Sequence, residues 1–213
     1  MTRKGQHGRL QLALRRLYLD ADPSPVAPFH DQASTAKALS LLKEALPALR
    51  RVAVLWNAAN PAFTSVWQSV NALAGSLDLT LVPGPVREPE DFPAAFAAIA
   101  SQRPEAFFVL TDALLGLHLS EIIEFAANER LPSGSTFREF AAAGGLMSYG
   151  PNLAALLRQA ADYVDRVFKG ESPATLPFQQ PTTFELVINL KTAEALGLTL
   201  PQLLLTRADD VIK

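Results

Sequence analysis

The chain has 213 residues, of which 49% are hydrophobic and 19% are charged; its formal net charge is −2 and it contains no cysteine. This length suggests one large domain or a domain and a half, and the hydrophobic fraction excludes a wholly disordered chain. The lack of cysteine excludes a disulfide framework, a cysteine-ligated zinc site and a cysteine nucleophile. The slightly acidic balance argues against nucleic acid as the main partner.

The small net charge hides an asymmetry between the start of the chain and the rest. Residues 1–51 carry nine Lys or Arg against four Asp or Glu, whereas residues 52–213 carry ten against seventeen. Residues 1–33 are an atypical basic head and a proline-rich linker, and we expect them to be disordered. They contain neither the apolar run of about 7–15 residues of a signal peptide nor the roughly 20 apolar residues of a membrane span.

Beyond residue 33, predicted helices and strands alternate along the chain. Helix caps are expected at Ser34 and Asn152, and apolar runs closed by polar residues indicate strands. The predicted helices cover residues 35–49, 61–77, 89–100, 114–130, 137–143, 152–169 and 192–196, and the predicted strands cover 51–56, 79–83, 105–110, 133–136, 146–149 and 184–190. Successive βα units predict an α/β fold, a three-layer parallel sheet flanked by helices.

Ligands of such sheets bind beyond the carboxyl ends of the strands. Polar or aromatic residues follow several predicted strands, and we select as candidate ligand-binding residues Asn57, Asn60, Thr111, Asp112, Phe137 and Tyr149. Two of them have a second interpretation. Asp112 could instead cap the helix that follows it, and Asn60, followed by Pro61, could only mark a turn and a helix start.

The motifs of common enzyme classes do not occur. The sequence has no GxGxxG after a predicted strand, no GxxxxGK[ST] and no GxSxG. The histidines, His7, His30 and His118, have no ligand partner four residues later, so no metal site or cofactor is predicted. Trp56 and Trp67 are interpreted as core residues. The pattern favours binding over catalysis.

Eight segments of the chain, taken together, form a recognisable series. In chain order they are RVAVLWNAAN at 51–60, FREF at 137–140, GGLMSYGPN at 144–152, YVD at 163–165, KGESP at 169–173, PTTFELVINLKTA at 181–193, ALGLTLP at 195–201 and RADD at 207–210. Each segment alone is a weak signal, but their order along residues 34–213 is specific. The series resembles the ABC-transporter substrate-binding protein family, in its branch of uncharacterised periplasmic components with relatives linked to aromatic amino acids.

This resemblance implies a periplasmic-binding-protein-like fold, in which two α/β lobes close on a small ligand and a membrane permease recognises the closed form. Residues 34–150 would form one complete ligand-binding lobe, and residues 151–213 the returning helix, strand and C-terminal segment of the other lobe. The family's first-lobe strands should precede residue 34, where this chain has no matching segment. We therefore expect a partial second lobe, and weak or undetectable ligand binding by this chain alone.

The resemblance also implies roles for the site residues. Asn60 would hydrogen-bond a ligand carboxylate or amide, Asp112 would pair with a ligand ammonium, and Phe137 and Tyr149 would stack on an apolar or aromatic body. The expected function is capture of a small ligand, with amino acids among the candidates, for an ABC permease, without catalysis. The expected location is periplasmic by resemblance, although the chain carries no signal peptide and as it stands would be cytoplasmic.

Two further expectations remain open. The apolar strand from Phe184 to Leu190 should pair with strands that precede residue 34 in the family, so it should either form a homodimer or dock onto the remaining sheet. The rival functions are a cytosolic ligand-sensing regulatory domain and, less favoured, an α/β enzyme with Asp112 as its base.

Overall fold

A computed structural model describes residues 32–110, 112–172, 175–177 and 181–213. The chain divides into two compact units. One comprises His30–Gly150 and Glu185–Lys213 and is called the sheet unit here; the other includes Pro151–Phe184 and is called the helical unit. Most of the head whose disorder is predicted, residues 1–31, lies outside the described residues.

The secondary structure follows the predicted alternation. The strands are β1 (Arg51–Asn57), β2 (Thr80–Val86), β3 (Ala106–Leu110), β4 (Ser133–Ser135), β5 (Met147–Pro151), β6 (Phe184–Asn189) and β7 (Asp210–Ile212). The α-helices are α1 (Gln32–Ala45), α2 (Pro61–Leu73), α3 (Phe92–Ser101), α4 (Ala113–Leu117), α5 (Leu119–Asn128), α6 (Arg138–Ala142), α7 (Leu153–Phe168), α8 (Leu190–Leu196) and α9 (Gln202–Thr206). Short 3₁₀ turns at Ala74–Leu77 and Pro89–Asp91 lead out of α2 and into α3. Among the described residues, no helix has the length and apolar character needed to span a membrane.

The strands form a seven-stranded sheet in the order β2-β1-β3-β4-β5-β6-β7. Neighbouring strands from β2 to β5 run parallel, and so do β6 and β7. β5 and β6 run antiparallel, because the Asn189 N–H, at the end of β6, donates to the Leu146 carbonyl, just before β5, at 2.8 Å. The predicted parallel sheet is therefore confirmed for β1 to β5, and the sheet as a whole is mostly parallel.

Both faces of the sheet carry a buried apolar layer, as the predicted three-layer fold requires. Alternate residues of β1 point to opposite faces: Val54 and Trp56 pack with residues of α1 and α2, whereas Leu55 packs with residues of α3 and α5. This alternation follows from the two-residue period of a strand. A strand that is buried on both faces needs apolar residues at almost every position, which explains the run VAVLW at 52–56.

β2 is longer than predicted, although it contains two prolines. A proline cannot donate a hydrogen bond to a neighbouring strand, and it is therefore confined to edge strands within sheets. β2 is the outermost strand, so Pro83 and Pro85 are tolerated there. Gly84 between them lies against Ile99, whose Cδ1 would be 2.6 Å from an added Cβ, so a larger residue would force the Ile99 side chain to shift.

Two helix predictions are wrong in detail. Ser34 does not cap the first helix, because α1 already begins at Gln32 and Ser34 is buried within it. The helix predicted at 114–130 is two helices, separated at His118, whose ring stacks on Phe92 with 4.7 Å between the ring centroids. Gly116, a poor helix former, precedes this break.

The helical unit is held together by its own contacts. Asn152 caps α7 as predicted, since its Oδ1 accepts a hydrogen bond from the Ala155 N–H at 2.9 Å. Tyr163 is buried together with Val164 and Leu176, and its hydroxyl donates to the Pro177 carbonyl at 2.5 Å. Burial raises the pKa of the Tyr163 hydroxyl above its ordinary value.

The late strand docks onto the sheet, which is one of the two outcomes expected for it. β6 lies between β5 and β7, so it is paired on both sides and is not a bare edge. The missed strand β7 covers its outer side; three residues were too short a pattern to predict. Homodimerisation through this strand stays a prediction. The assignment of residues 151–213 to another lobe also stays a prediction, although the contacts group Glu185–Lys213 with the sheet unit.

Candidate functional site

The carboxyl ends of the parallel strands lie along one edge of the sheet. Trp56 of β1 is in register with Leu110 of β3, and Ser135 of β4 is in register with Ser148 of β5. The residues that follow these positions therefore belong to the same edge, which we call the carboxyl edge. The candidate residues described in the structure lie along it, as the sequence predicts for a parallel sheet. Thr111 lies outside the described residues.

Asn57 and Asp112 are in direct contact at this edge. The Asn57 Nδ2 donates a hydrogen bond to the Asp112 Oδ2 at 2.7 Å. The Asn57 Oδ1 accepts from the Ala59 N–H at 2.9 Å, which fixes the orientation of the amide so that its nitrogen faces the carboxylate. The contact joins the end of β1 to the loop after β3, and the two residues are 55 positions apart in the sequence.

Asp112 is also a helix cap. Its Oδ1 accepts from the Leu115 N–H at 3.1 Å at the start of α4, and the residue is half-buried. The interpretation of Asp112 as a cap is therefore confirmed. A carboxylate can accept about four hydrogen bonds, and two are accounted for by Asn57 and Leu115, so capacity for a ligand donor remains.

Asn60 combines a cap with a free donor. It is the N-cap of α2, its Oδ1 accepts from the Ala62 N–H at 3.1 Å, and Pro61 occupies the first helical position. The predicted helix start is confirmed. The Nδ2 of Asn60 has no hydrogen-bond partner among the described residues, and the side chain is partly exposed. An amide group with its oxygen held and its nitrogen free is a fixed donor for a ligand acceptor.

The aromatic candidates lie after β4 and in β5, at the same edge. Phe137 is half-buried in extended conformation directly before α6, and Tyr149 is half-buried in β5, packed against the core. Gly150 brings their segments together: a Cβ added there would lie only 1.8 Å from the Thr136 carbonyl oxygen. The backbones after β4 and at the end of β5 therefore approach each other so closely that only glycine fits.

A cluster of ion pairs that the sequence analysis did not predict lies at the same edge. Arg138 of α6 donates a hydrogen bond to Asp210 at the start of β7, and its Nη1 lies 3.7 Å from the Glu185 Oε2 in β6. The hydrogen bond from Arg138 lowers the pKa of Asp210 and raises that of Arg138 itself. Glu139 adjoins Arg138 in the sequence, but the partners of Arg138 lie 47 and 72 residues away in the chain. No sequence pattern indicated them.

Two buried polar atoms near this edge have no hydrogen-bond partner in the described part of the chain. They are the Trp56 Nε1 and the Ser148 Oγ. Trp56 is a core residue, as predicted, and it stacks on Trp67 with 4.4 Å between the ring centroids. Within the described ranges, no group of three or more His, Cys, Asp or Glu residues is arranged to hold a metal ion.

The comparisons with known proteins agree with this architecture. The family model of ABC transporter substrate binding proteins matches residues 22–212, so the chain belongs to this family. The suspected resemblance and the fold class are thereby confirmed. No curated protein matches the chain.

Solved structures of the same fold come from several bacteria. A conserved domain protein from Vibrio cholerae is 26% identical with a TM-score of 0.78, over 83% of this chain and 60% of that one. An ABC domain in complex with L-Trp from Streptococcus pneumonia is 21% identical with a TM-score of 0.77, over 84% of this chain and 62% of that one. A ligand-free, open substrate-binding protein with adhesive properties from Clostridium difficile is 18% identical with a TM-score of 0.65, over 88% of this chain and 61% of that one. The chain thus spans about three fifths of the length of these structures.

Proposed function

We propose that this chain is the ligand-binding component of an ABC transporter and that it captures an amino acid at the carboxyl edge without catalysing a reaction. The observation that carries the proposal is the Asn57–Asp112 pair, with the free amide nitrogen of Asn60 three residues after Asn57, in a member of the substrate-binding family. The proposed partner is an ABC permease, and the proposed location is the periplasm or its extracytoplasmic equivalent.

Each end of an amino acid finds a matching group in this arrangement. The Asp112 carboxylate, held in place by Asn57, would accept hydrogen bonds from the ligand ammonium. The Asn60 Nδ2 would donate to the ligand carboxylate, and the hydroxyl of Thr111, a residue outside the described ranges, would be a further donor. None of these groups forms a nucleophile–base pair, so the proposed role is binding.

An aromatic side chain is the proposed third part of the ligand. Phe137 and Tyr149 lie on adjoining segments, and their rings would stack on an aromatic ligand, a contact that contributes about 0.5–1.5 kcal/mol beyond burial. The L-Trp bound to the structurally similar streptococcal domain supports the choice of an aromatic amino acid. L-tryptophan is therefore the first probe.

Amide NMR shifts during titration with L-tryptophan test the proposal. We expect shifts at the N–H groups of Ala59, Ala62 and Leu115, because these groups hydrogen-bond the side chains of Asn57, Asn60 and Asp112. Tryptamine, which lacks the carboxylate, and indole-3-propionate, which lacks the ammonium, should each shift these groups less. Shifts by L-tryptophan that appear at other amides and leave all three of these groups unmoved would refute this site.

Substitution of Asp112 gives the matched test. Asp112→Asn removes the charge that pairs with the ammonium, and we expect affinity for L-tryptophan to fall by about 10–100-fold, since a hydrogen bond to a charged group contributes about 1.5–3 kcal/mol. Asp78→Asn removes a carboxylate from an exposed turn of the same unit and should leave affinity unchanged. Equal losses in both variants would contradict the proposed role of Asp112.

A further inference from the structure

A cavity of about 480 Å³ lies at the other edge of the sheet. Its wall includes Ser133 at the start of β4 and Gly144 just before β5, together with Asn189 and Ile212 at the carboxyl ends of β6 and β7. Because β6 is antiparallel to β5, its carboxyl end lies beside the amino end of β5. The cavity is therefore separate from the carboxyl edge.

Most of the cavity wall is apolar. Small side chains leave the space open, and larger aliphatic side chains line it. The apolar residues are Ala126, Ala127, Ala142, Ala143, Ala195, Ile123, Leu131, Leu196 and Ile212. A cavity of this volume is within the range of about 300–1,000 Å³ that is typical of small-molecule sites. It is large enough for a ligand with an apolar body, such as a single aromatic ring.

The charged residues of the wall are all basic. Arg130 and Lys191 line the cavity, and its lining contains no Asp or Glu. Over the described ranges, neither side chain forms an ion pair or a hydrogen bond with another residue. Two cations without a protein counter-ion, beside an apolar cavity, favour an anionic ligand.

The polar part of the wall is already fixed by internal hydrogen bonds. The buried Asn189 donates from Nδ2 to the Ala141 carbonyl at 2.9 Å and accepts at Oδ1 from the Thr192 N–H at 3.1 Å. The Thr192 hydroxyl donates to the Gly144 carbonyl at 2.9 Å. These bonds join the start of α8 to the segment before β5. This part of the cavity wall is therefore held in place before a ligand enters, which favours binding.

We propose that this cavity binds a small organic carboxylate, with the apolar body of the ligand among the aliphatic side chains and its charge held by Arg130 and Lys191. This second site is independent of the ligand proposed for the carboxyl edge. A bare inorganic anion would leave the apolar wall unused, and an uncharged molecule would leave the two cations unused.

Binding of benzoate to the whole chain tests the proposal. We expect benzoate to shift the amide NMR signals of Gly144 and Thr192 in a saturable manner, and benzamide, its uncharged analogue of similar shape, to bind at least fivefold more weakly. Arg130→Gln and Lys191→Gln should each weaken benzoate binding by about three- to fivefold, the upper range for a solvent-exposed charge pair. The double variant should lose at least tenfold.

Arg103→Gln is the matched control for Arg130→Gln. Arg103 follows α3 as Arg130 follows α5, and both have positive φ, 47° and 53°, but Arg103 does not line the cavity. The Arg103→Gln variant should therefore bind benzoate as the original chain does. Asp112→Asn, which changes the carboxyl edge, should also leave benzoate binding unchanged. Absence of saturable benzoate binding, equal affinity for benzamide, or equal losses in Arg103→Gln and Arg130→Gln would each overturn the proposal. Benzoate shifts at Ala59 and Leu115 instead would assign the binding to the carboxyl edge.

Discussion

Substitution of Gly150 by alanine is the perturbation whose effect follows most directly from the structure. The added Cβ would lie 1.8 Å from the Thr136 carbonyl oxygen, whereas ordinary contact begins at 3.4 Å. The atom in the way belongs to the backbone, so no side-chain rotation can relieve the clash. The segments after β4 and at the end of β5 would have to separate, and Tyr149 would move away from Phe137.

The expected cost is at the upper end of the range for overpacked positions, about 3 kcal/mol. Alanine also restricts the unfolded chain more than glycine does, which by itself stabilises a protein by about 0.4–1 kcal/mol. Gly75→Ala isolates that second effect, because a Cβ at Gly75 meets nothing within 4 Å. For a chain of this size, 3 kcal/mol corresponds to a fall in Tm of about 6–12 °C.

Urea unfolding followed by tryptophan fluorescence measures this difference. The chain has two tryptophans, Trp56 and Trp67, and both belong to the sheet unit, so the signal reports on the unit that contains Gly150. We expect Gly150→Ala to be less stable than Gly75→Ala by about 3 kcal/mol. A difference below about 0.5 kcal/mol, the usual scatter of surface substitutions, would show that the close approach of the two backbones is wrong.

Three further predictions concern stability. Hydrogen bonds from the backbone N–H groups of two neighbouring residues lower the pKa of Glu105 below its ordinary value of 4.5. In acid the unfolded state then binds more protons than the folded state, so the free energy of unfolding should fall as the pH drops through the lowered pKa of Glu105. Glu105→Gln should flatten this pH dependence in urea titrations between about pH 5 and 3. Asn152→Ala removes the cap that accepts from the Ala155 N–H, and it should lower the free energy of unfolding by about 1 kcal/mol; Asn152→Asp, which keeps the acceptor, should not. Tyr163→Phe removes the hydrogen bond to the Pro177 carbonyl and should cost about 1 kcal/mol in thermal unfolding, and an unchanged Tm would contradict that contact.

The sequence predicted those parts of the fold that depend on local pattern. The run VAVLW at 52–56 indicated a strand buried on both faces, and β1 lies inside the sheet. Asn152 marks the start of α7, as its capping chemistry predicts. The position of the candidate residues at one edge followed from the parallel order of the strands. These inferences need only neighbours in the chain and the general rules of parallel sheets.

The features that sequence reasoning missed depend on residues far apart in the chain. Arg138 pairs with Glu185 of β6 and with Asp210 of β7. No local sequence pattern indicates the direction of these two strands in the sheet. Asn57 and Asp112 were both selected as candidate ligand-binding residues. Their hydrogen bond to each other depends on tertiary packing and could not be predicted from the sequence. His118, where the predicted helix is interrupted, stacks its ring on Phe92, 26 residues earlier in the chain. Periodicity alone could not show that contact.

The Asp112 carboxylate is the centre of the proposed amino-acid site, and exchange of the two side chains in the Asn57–Asp112 pair tests it most directly. In an Asn57→Asp/Asp112→Asn double variant, position 57 can still accept from the Ala59 N–H and position 112 from the Leu115 N–H. The hydrogen bond between the two side chains can re-form with its direction reversed, so only the charge changes place.

The measurement is the affinity for L-tryptophan by NMR titration, together with the free energy of unfolding of the same variant. We predict stability within about 0.5 kcal/mol of the original chain and a loss of affinity of at least tenfold. A double variant that is equally stable and binds L-tryptophan as tightly as the original chain would contradict the assignment of the ligand ammonium to Asp112.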